Sequence, residues 1–349
     1  MKKLLLGLGV VLFAGLVSAQ DLIDVCFQSK WFPQAQFAGY FVAQDKGFYE
    51  EEGLNVTILD GGNVNPSVQV ASGNCDFGTD WIANMLVQRE AGLNVVQIAQ
   101  IFQASGYRMV ALADSGIESF TDLAGRKVGV WAFGNEFVSQ AIFAAEGFTS
   151  DLDPTVTDAD VQAVVYAFDP SLVFPNEVEV ASAMTYNELN QIVGLGYPLE
   201  TLSVLDPAEI NAQLLEDNIF TTPELLASEN FKESGVTGRE IAERFLRATI
   251  RGWEYAVANQ EEAVFIVTGY CGDTCNGMGE TQSPLIHQTW QMARVAELVK
   301  PTPETAVGAI NPEAFANSVN LLTQVGLIQN PVTFEDVVDS SVYDAVAGQ

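Results

Sequence analysis

Short apolar runs alternate with amphipathic segments along the first two thirds of the chain. Runs rich in β-branched and aromatic residues predict strands at residues 23–27, 55–60, 76–78, 95–102, 109–113, 127–131, 161–168, 179–184 and 202–205. Most of the segments between them have helical spacing, for example residues 37–52, 65–72, 136–145 and 187–193. Strands that alternate with helices predict an α/β protein with parallel sheets covered on both faces.

The pattern changes after about residue 214, where helical periodicity dominates. Residues 239–259 predict one long helix, and further helical segments follow at 261–268, 284–299 and 312–325. The chain contains no internal repeat and no low-complexity linker. This order predicts a two-lobed α/β fold with a helical C-terminal region. We expect the chain to cross between the lobes near residues 111–115 and 202–211.

The N-terminus has the pattern of a secretory signal. Lys2 and Lys3 precede an apolar stretch at residues 4–17, and a small-residue cleavage site ends at Ala19. The apolar stretch is shorter than the ~20 residues that a membrane-spanning helix needs. The residue directly after the cleavage site is not a cysteine, so it offers no site for a lipid anchor, and the first cysteine is Cys26. We therefore expect cleavage near Ala19, export to the periplasm and no stable membrane insertion.

Composition narrows the possible partners. The 349 residues include 15 Lys and Arg against 45 Asp and Glu, a formal net charge of −30. Such a surface repels nucleic acid and anionic lipid, although the same acidity also fits life at high salt. Hydrophobic residues make up 48%, enough for a large core. A single histidine, His287, argues against a histidine-rich metal site, and we expect it to be a surface or packing residue.

The four cysteines of an exported chain are candidates for disulfides. Cys271 and Cys275 lie in a Gly-rich segment and suit a small local bridge, and Cys26 and Cys75 would form the other. A metal site is the weaker alternative, since no second CxxC motif or nearby histidine is present. Free core thiols remain an alternative for Cys26 and Cys75.

Several sequence stretches together resemble a known family. They are WFPQAQFAGY at 31–40, KGFY at 46–49, EGLNV at 52–56, SGNCDFG at 72–78, DLAGRKVGVW at 122–131, TYNE at 185–188 and RATIRGW at 247–253. In this order they resemble the periplasmic substrate-binding proteins of ABC importers, in the branch related to thiamine-pyrimidine synthase. The resemblance covers about residues 21–299.

The resemblance implies a type II periplasmic-binding fold. Lobe one would contain residues 20–113 and 207–349, and lobe two residues 114–206. A small-molecule ligand would lie in the cleft between lobes that close by hinge motion. We expect a monomer that delivers this ligand to the transmembrane subunits of an ABC permease.

Loops after the predicted strands supply the candidate ligand-binding residues. Aromatic rings provide stacking surfaces, while amides and carboxylates bind ligand donors and acceptors. Core packing is the alternative for Phe37 and Tyr40, and helix capping is the alternative for Thr79 and Asp80. The candidates are Trp31, Gln34, Phe37, Tyr40, Thr79, Asp80, Trp81, Gln103, Asn135, Glu136, Tyr186, Asn187 and Glu188.

The charges among these candidates restrict the ligand. Asp80, Glu136 and Glu188 are acidic, and only Lys30 and Arg108 are candidate cations near the cleft. An anionic ligand is typically bound by an arginine that donates two hydrogen bonds to it, and no candidate arginine is placed to do so. A neutral or weakly basic heteroaromatic compound fits better, first an aminopyrimidine precursor of thiamine and second a flavin. A sulfonate and a ligand-sensing role for a receptor remain further alternatives.

Sequence features of an enzyme are missing. The related synthase has a cysteine-rich CCCFC motif that this chain lacks, and GxSxG, HExxH and Walker motifs do not occur either. His287 lies far in sequence from the predicted cleft loops. We therefore expect binding without catalysis and without a cofactor.

Overall fold

The computed structural model describes residues 22–62, 64–132, 134–167, 169–275 and 283–348. The predicted signal segment, residues 1–19, lies outside the described residues. Within these ranges the strands are β1 (Ile23–Gln28), β2 (Leu54–Leu59), β3 (Phe77–Asp80), β4 (Val96–Gln100), β5 (Tyr107–Leu112), β6 (Lys127–Trp131), β7 (Gln162–Tyr166), β8 (Val180–Met184), β9 (Leu202–Leu205) and β10 (Asn218–Thr221). The first nine correspond to the nine predicted strands, and β10 was not predicted.

The α-helices lie between the strands and fill the C-terminal third. They are α1 (Ala38–Asp45), α2 (Phe48–Glu51), α3 (Pro66–Ala71), α4 (Ile82–Glu90), α5 (Glu136–Ala145), α6 (Glu188–Gly194), α7 (Pro223–Leu226), α8 (Gly238–Ala258), α9 (Gln260–Cys271), α10 (Pro284–Val299), α11 (Pro312–Gln324), α12 (Phe334–Val337) and α13 (Ser340–Val346). Asn, Ser or Thr caps several helix starts, as at Asn65, Thr237 and Ser283. None of the helices in the described ranges combines the length and hydropathy that a membrane crossing requires.

The strands form two five-stranded sheets, one in each lobe. The first sheet has the order β2-β1-β3-β10-β4, and the second has the order β7-β6-β8-β5-β9. Parallel pairing joins β1 to β2 and β3, and β6 to β7 and β8. The prediction of parallel sheets is wrong in part, because β10 runs antiparallel to β3 and β4 and β5 runs antiparallel to β8 and β9.

Two connections join the lobes. The first lies between β4 and β5, at residues 101–106, and not near residues 111–115 as expected. The sequence pattern shows two consecutive strands there without indicating that they belong to different sheets. Consequently the expected start of lobe two at residue 114 is too late, since β5 already lies in the second sheet. The other connection, at residues 206–217, overlaps the expected crossing at 202–211.

The C-terminal helices surround lobe one. Helix α8 packs on α1 so closely that side chains would not fit between their backbones at the crossing. A Cβ atom at Gly252 would lie 2.2 Å from the carbonyl oxygen of Gly39, so both helices need glycine there. Burial of Phe245, Leu246 and Trp253 on the inner face of α8 gives this helix its main stabilisation.

Both expected cysteine pairs are present as disulfides. Cys26 in β1 is bonded to Cys75, which precedes β3, and Cys271 at the end of α9 is bonded to Cys275. Among the described residues no group of three or more His, Cys, Asp and Glu side chains is arranged to hold a metal ion.

Candidate ligand-binding site

A cavity of about 410 Å³ lies between the two sheets. Its walls begin where β1, β3, β6 and β8 end, as the convergence of strand ends in α/β sheets dictates. The lobe-one wall contains Lys30, Trp31, Gln34, Gln36, Gly62, Val64, Asn65, Pro66, Trp81, Asn84 and Gln88. The lobe-two wall contains Tyr107, Trp131, Gly134, Asn135, Glu136, Phe137, Ser182, Ala183, Met184, Tyr186, Asn187 and Glu188.

Three indole rings dominate the aromatic lining. Trp31 from lobe one and Trp131 from lobe two meet edge to face across the cleft, with ring centroids 5.0 Å apart and planes at 74°. Trp81 follows β3 at the start of α4. Such rings offer flat apolar faces on which a planar heterocycle stacks. The contact between Trp31 and Trp131 also means that the lobes touch in this conformation.

The loop that carries Lys30 and Trp31 is held by the glycine pair after β2. The backbone N–H of Gly61 donates to the carbonyl of Trp31 at 2.9 Å, and that of Gly62 donates to the carbonyl of Lys30 at 3.1 Å. A Cβ atom at Gly61 would lie 2.2 Å from the Lys30 carbonyl carbon. Only glycine permits this approach, so the pair fixes one wall of the cavity.

Lys30 is the one cationic side chain among the described residues that line the cavity. Its Nζ lies 2.8 Å from Oδ1 of Asp80 and 5.2 Å from the centre of the Trp81 ring. Asp80 is fully buried and also accepts hydrogen bonds from the Trp81 backbone N–H and the Asn84 amide. Because Asp80 balances Lys30, this ion pair brings no net positive charge to the ligand space.

The acidic groups of the cavity lie on lobe two. Glu188, which is 4% exposed, accepts hydrogen bonds from the Met184 backbone N–H at 2.9 Å and the Asn187 amide at 2.7 Å. Burial raises the pKa of Glu188, and these hydrogen bonds oppose that shift. Glu136 accepts from the Gly134 backbone N–H at 2.8 Å. The lobe-two wall therefore presents hydrogen-bond acceptors to ligand N–H or O–H groups.

Among the described wall residues, each lobe contributes a buried polar atom that has no hydrogen-bond partner. They are the indole N–H of Trp81, a donor on lobe one, and the amide oxygen of Asn135, an acceptor on lobe two. Both residues are more than nine-tenths buried. Leaving a buried polar group without a hydrogen-bond partner costs free energy. A ligand that forms hydrogen bonds with both groups would remove this cost and therefore bind more tightly.

Two adjacent buried carboxyl groups, Glu216 and Asp217, lie in the second interlobe connection, just before β10. Glu216 accepts from Ser105 Oγ at 2.7 Å and from the Gly106 N–H at 3.0 Å, so it joins the two interlobe connections. Asp217 accepts from the Gln36 amide at 2.9 Å. Burial raises the pKa of Glu216 to about 7 and that of Asp217 to about 8.

His287 is not the remote residue that its sequence position suggested. It is 1% exposed, and its Nε2 lies 2.9 Å from Oδ1 of Asn187 in the cavity wall. Its Nδ1 lies 2.8 Å from the Asn190 amide nitrogen. Burial lowers the pKa of His287 to about 4, so the ring is neutral at physiological pH. Folding of α10 against the cleft brings it there, which no local pattern reveals.

Eight of the sequence candidates line the cavity: Trp31, Gln34, Trp81, Asn135, Glu136, Tyr186, Asn187 and Glu188. Phe37 and Tyr40 do not, because they are buried in the core of lobe one, where the Tyr40 ring stacks on Phe27 at 4.2 Å. The packing alternative holds for these two residues.

Three other candidates lie behind the walls. Thr79 and Asp80 end β3 and are completely buried, and Asp80 contacts the cavity wall through its bonds to Lys30, Trp81 and Asn84. The Gln103 amide donates to the backbone carbonyls of Gln100 and Ala309 and therefore stabilises the first interlobe connection. Arg108, expected as a second cation, pairs with Asp206 at 2.8 Å and does not line the cavity.

Sequence reasoning missed several wall residues. Asn84 and Gln88 follow Trp81 at spacings of three and seven, one face of α4, and this helical spacing of polar groups could have identified them. Tyr107 and Ser182 lie in strands whose residues are almost all buried, so nothing in the sequence sets them apart from core positions. They line the cavity because this part of the second sheet faces the cleft, an orientation that depends on how the two lobes are placed.

Comparison with known proteins supports the resemblance. The model of a family described as NMT1/THI5 like matches residues 34–263. The riboflavin-binding protein RibY of Chloroflexus aurantiacus is 24% identical over 319 residues, covering 89% of this chain and 83% of that protein. The formylaminopyrimidine-binding protein of Halalkalibacterium halodurans is 23% identical over 313 residues, with 89% and 88% covered.

Other relatives are named as enzymes and not as binding proteins. A 4-amino-5-hydroxymethyl-2-methylpyrimidine phosphate synthase of Legionella pneumophila is 25% identical over 272 residues, covering 73% of this chain and 74% of that protein. Among solved structures, the periplasmic aliphatic sulphonate binding protein SsuA of Escherichia coli superposes with a TM-score of 0.61 at 14% identity, with 90% of this chain and 91% of that chain covered. At this identity the likeness shows a shared periplasmic-binding-protein fold and no more.

Proposed function

The chain belongs to the NMT1/THI5-like family, and on this premise we propose that it captures a flat heteroaromatic nutrient outside the cytoplasm for an ABC importer. One observation supports the ligand class above all. Three indole rings and two acidic side chains line the cavity, and no arginine does so among the described residues. Stacking surfaces with hydrogen-bond acceptors suit a planar ring with N–H groups, whereas a sulfonate or phosphate lacks a bidentate partner.

Size favours a flavin over a single pyrimidine ring. At ~30 Å³ per water molecule, the cavity of about 410 Å³ has the volume of roughly fourteen waters. Three fused rings with a polyol chain would fill that space, while one substituted pyrimidine would leave much of it to solvent. The relative named as a riboflavin-binding protein supports the same choice.

An aminopyrimidine is the second candidate. Glu188 and Glu136 can each accept from an exocyclic amine, and a relative is named for binding formylaminopyrimidine. Binding without catalysis is supported by the two relatives that are named as binding proteins. The two disulfides support an oxidising, extracytoplasmic location after cleavage near Ala19.

Calorimetry on protein that has been unfolded and refolded to remove bound ligand tests the proposal. We expect riboflavin to bind with micromolar affinity or better and to lose its fluorescence as it stacks on tryptophan. Binding of 4-amino-5-hydroxymethyl-2-methylpyrimidine alone would select the second candidate. Binding of taurine alone, or of none of the three, would overturn the proposal. Recovery of a chemically changed ligand would instead show an enzyme.

Transport is tested in cells. Deletion of the gene is expected to abolish uptake of the labelled ligand at submicromolar concentration, and expression of the full chain is expected to restore it. Unchanged uptake together with tight binding in vitro would contradict import and indicate a sensor.

A further inference from the structure

Helix α10 presents three polar side chains to the back of the cavity wall. His287, Trp290 and Gln291 share one helix face, because their spacings are three and four residues. The Trp290 indole N–H donates to the Thr185 carbonyl at 2.9 Å, and the Gln291 amide reaches Asn187 Oδ1 at 3.3 Å. This face therefore contacts the loop that carries Asn187 and Glu188.

The hydrogen bonds in this region have a defined direction. The Asn190 amide nitrogen is a donor, so the Nδ1 atom of His287 must accept and its Nε2 atom must carry the proton. That proton points at Oδ1 of Asn187, 2.9 Å away. With Oδ1 engaged, the amide nitrogen of Asn187 is turned to Glu188 and donates to Oε1 at 2.7 Å. A chain of donors thus runs from the histidine to the carboxylate.

Glu188 needs such donors because its surroundings are poor in positive charge. The phenols of Tyr107, Tyr166 and Tyr186 lie close enough to interact electrostatically with it, and they are neutral because burial raises their pKa values. The charged groups lining the same cavity are Glu136 and Lys30, and Lys30 is paired with Asp80. The carboxylate is consequently stabilised by the Met184 N–H and the Asn187 amide.

We propose that His287 is a positioning residue that acts through Asn187 to keep Glu188 an ionised acceptor aimed at a ligand N–H group. The inference rests on the proposed function for its ligand. It specifies the ligand further, since one edge of the heterocycle must present a donor to Glu188. His287 itself does not line the cavity.

The first test needs no ligand. The chain has one histidine, so ¹⁵N-histidine labelling gives a single side-chain spectrum from the full protein. We expect the neutral tautomer with the proton on Nε2 at pH 7, unchanged down to about pH 5. A proton on Nδ1, or titration near pH 6.5, would overturn the proposal. This readout stays decisive if none of the ligands tested binds, an outcome that would overturn only the proposed function.

The second test compares variants at position 287. Leucine removes the donor to Asn187, whereas glutamine retains an amide N–H in place of Nε2–H. We expect His287→Leu to weaken riboflavin binding about tenfold and His287→Gln to weaken it less than about threefold. Thr289→Ala, an exposed change in the same helix, is the control and should leave binding unchanged. Equal loss in the two position-287 variants, with folding intact by circular dichroism, would contradict the proposal.

A double-variant cycle and a pH profile separate positioning from mere packing. In a Glu188→Gln background, His287→Leu should add less than a twofold loss, because the carboxylate that it supports is gone. In the single His287→Leu variant, loss of the hydrogen bond from Asn187 raises the pKa of Glu188 further, so binding should fail at a higher pH during acid titration. Additive losses with an unmoved pH profile would show a structural role only.

Discussion

Trp31 illustrates how one side chain both lines the cavity and joins the two lobes. It lies on a loop fixed by Gly61 and Gly62, lines the cavity from lobe one, and meets Trp131 of lobe two. The sequence identified it because an aromatic residue before a proline in an extended loop has no helical partner to pack against. For Phe37 and Tyr40 the sequence left ligand contact and core packing both open, since a helix start and a cleft loop share the same local pattern, and the structure shows core packing.

Removal of the Trp31 ring is expected to weaken ligand binding without unfolding the protein. Trp31→Ala loses stacking area, so the affinity for riboflavin should fall by ~1–3 kcal/mol in calorimetry. Phe265→Ala is a matched control, since Phe265 is 77% exposed on α9 and does not line the cavity. Equal affinity in Trp31→Ala and the unaltered protein would remove Trp31 from the site.

The Lys30–Asp80 pair makes a prediction about stability. Lys30→Met leaves the fully buried Asp80 without its cation, and we expect the free energy of unfolding in urea to fall by about 3 kcal/mol. The double variant Lys30→Met, Asp80→Asn carries no unpaired charge and should recover most of that loss. If the double variant is as unstable as the single one, the charge of Asp80 is not the cause.

At the scale of elements, the existence of strands was predictable and their direction was not. All nine predicted strands occur, because their β-branched and aromatic runs differ from the helical segments between them. β10 (Asn218–Thr221) was missed because the region after about residue 214 was interpreted as helical, and four buried residues show no alternation that would have corrected this. The antiparallel placement of β5 and β10 follows from where the chain crosses between sheets, which depends on contacts distant in sequence.

The two disulfides differ in the length of chain that they close. Cys26–Cys75 spans 49 residues and joins β1 to the turn before β3, whereas Cys271–Cys275 spans four. Loop-closure entropy in the unfolded chain predicts losses of about 4 kcal/mol and about 2 kcal/mol when each pair is changed to alanine. Urea unfolding of the two double variants measures this difference. A larger loss from the short bridge would show that native contacts, rather than chain entropy, set its contribution.

For the whole molecule, the decisive features are the two interlobe connections and the polar groups buried between them. The family's motifs predicted two lobes with a cleft, and the convergence of strand ends predicted which loops meet there. The sequence did not show that Glu216 would join both connections or that His287 would lie behind the wall. These placements arise from the packing of the C-terminal region onto lobe one.

The buried carboxyl pair makes the stability of the molecule depend on pH. Asp217 and Glu216 have folded-state pKa values of about 8 and about 7, above those of an unfolded chain, so the native state binds more protons and stability falls as pH rises through this range. His287, with a pKa of about 4 in the folded state and about 6.5 in the unfolded chain, opposes this with a smaller rise in stability that is complete soon above pH 6.5. We expect the free energy of unfolding to decrease by about 2 kcal/mol over that interval.

Variants assign this decrease to the pair. Asp217→Asn removes the titrating group nearest to Gln36 and should flatten the pH dependence, whereas Asp114→Asn, an exposed control, should leave it as it is. Urea unfolding at pH 6.5, 7.5 and 8.5 provides the measurement. Stability that rises with pH would mean that the donors on Ser105, Gly106 and Gln36 outweigh burial and keep both carboxyls ionised. In that case these hydrogen bonds, and not the exclusion of water, would control the charge of the second interlobe connection.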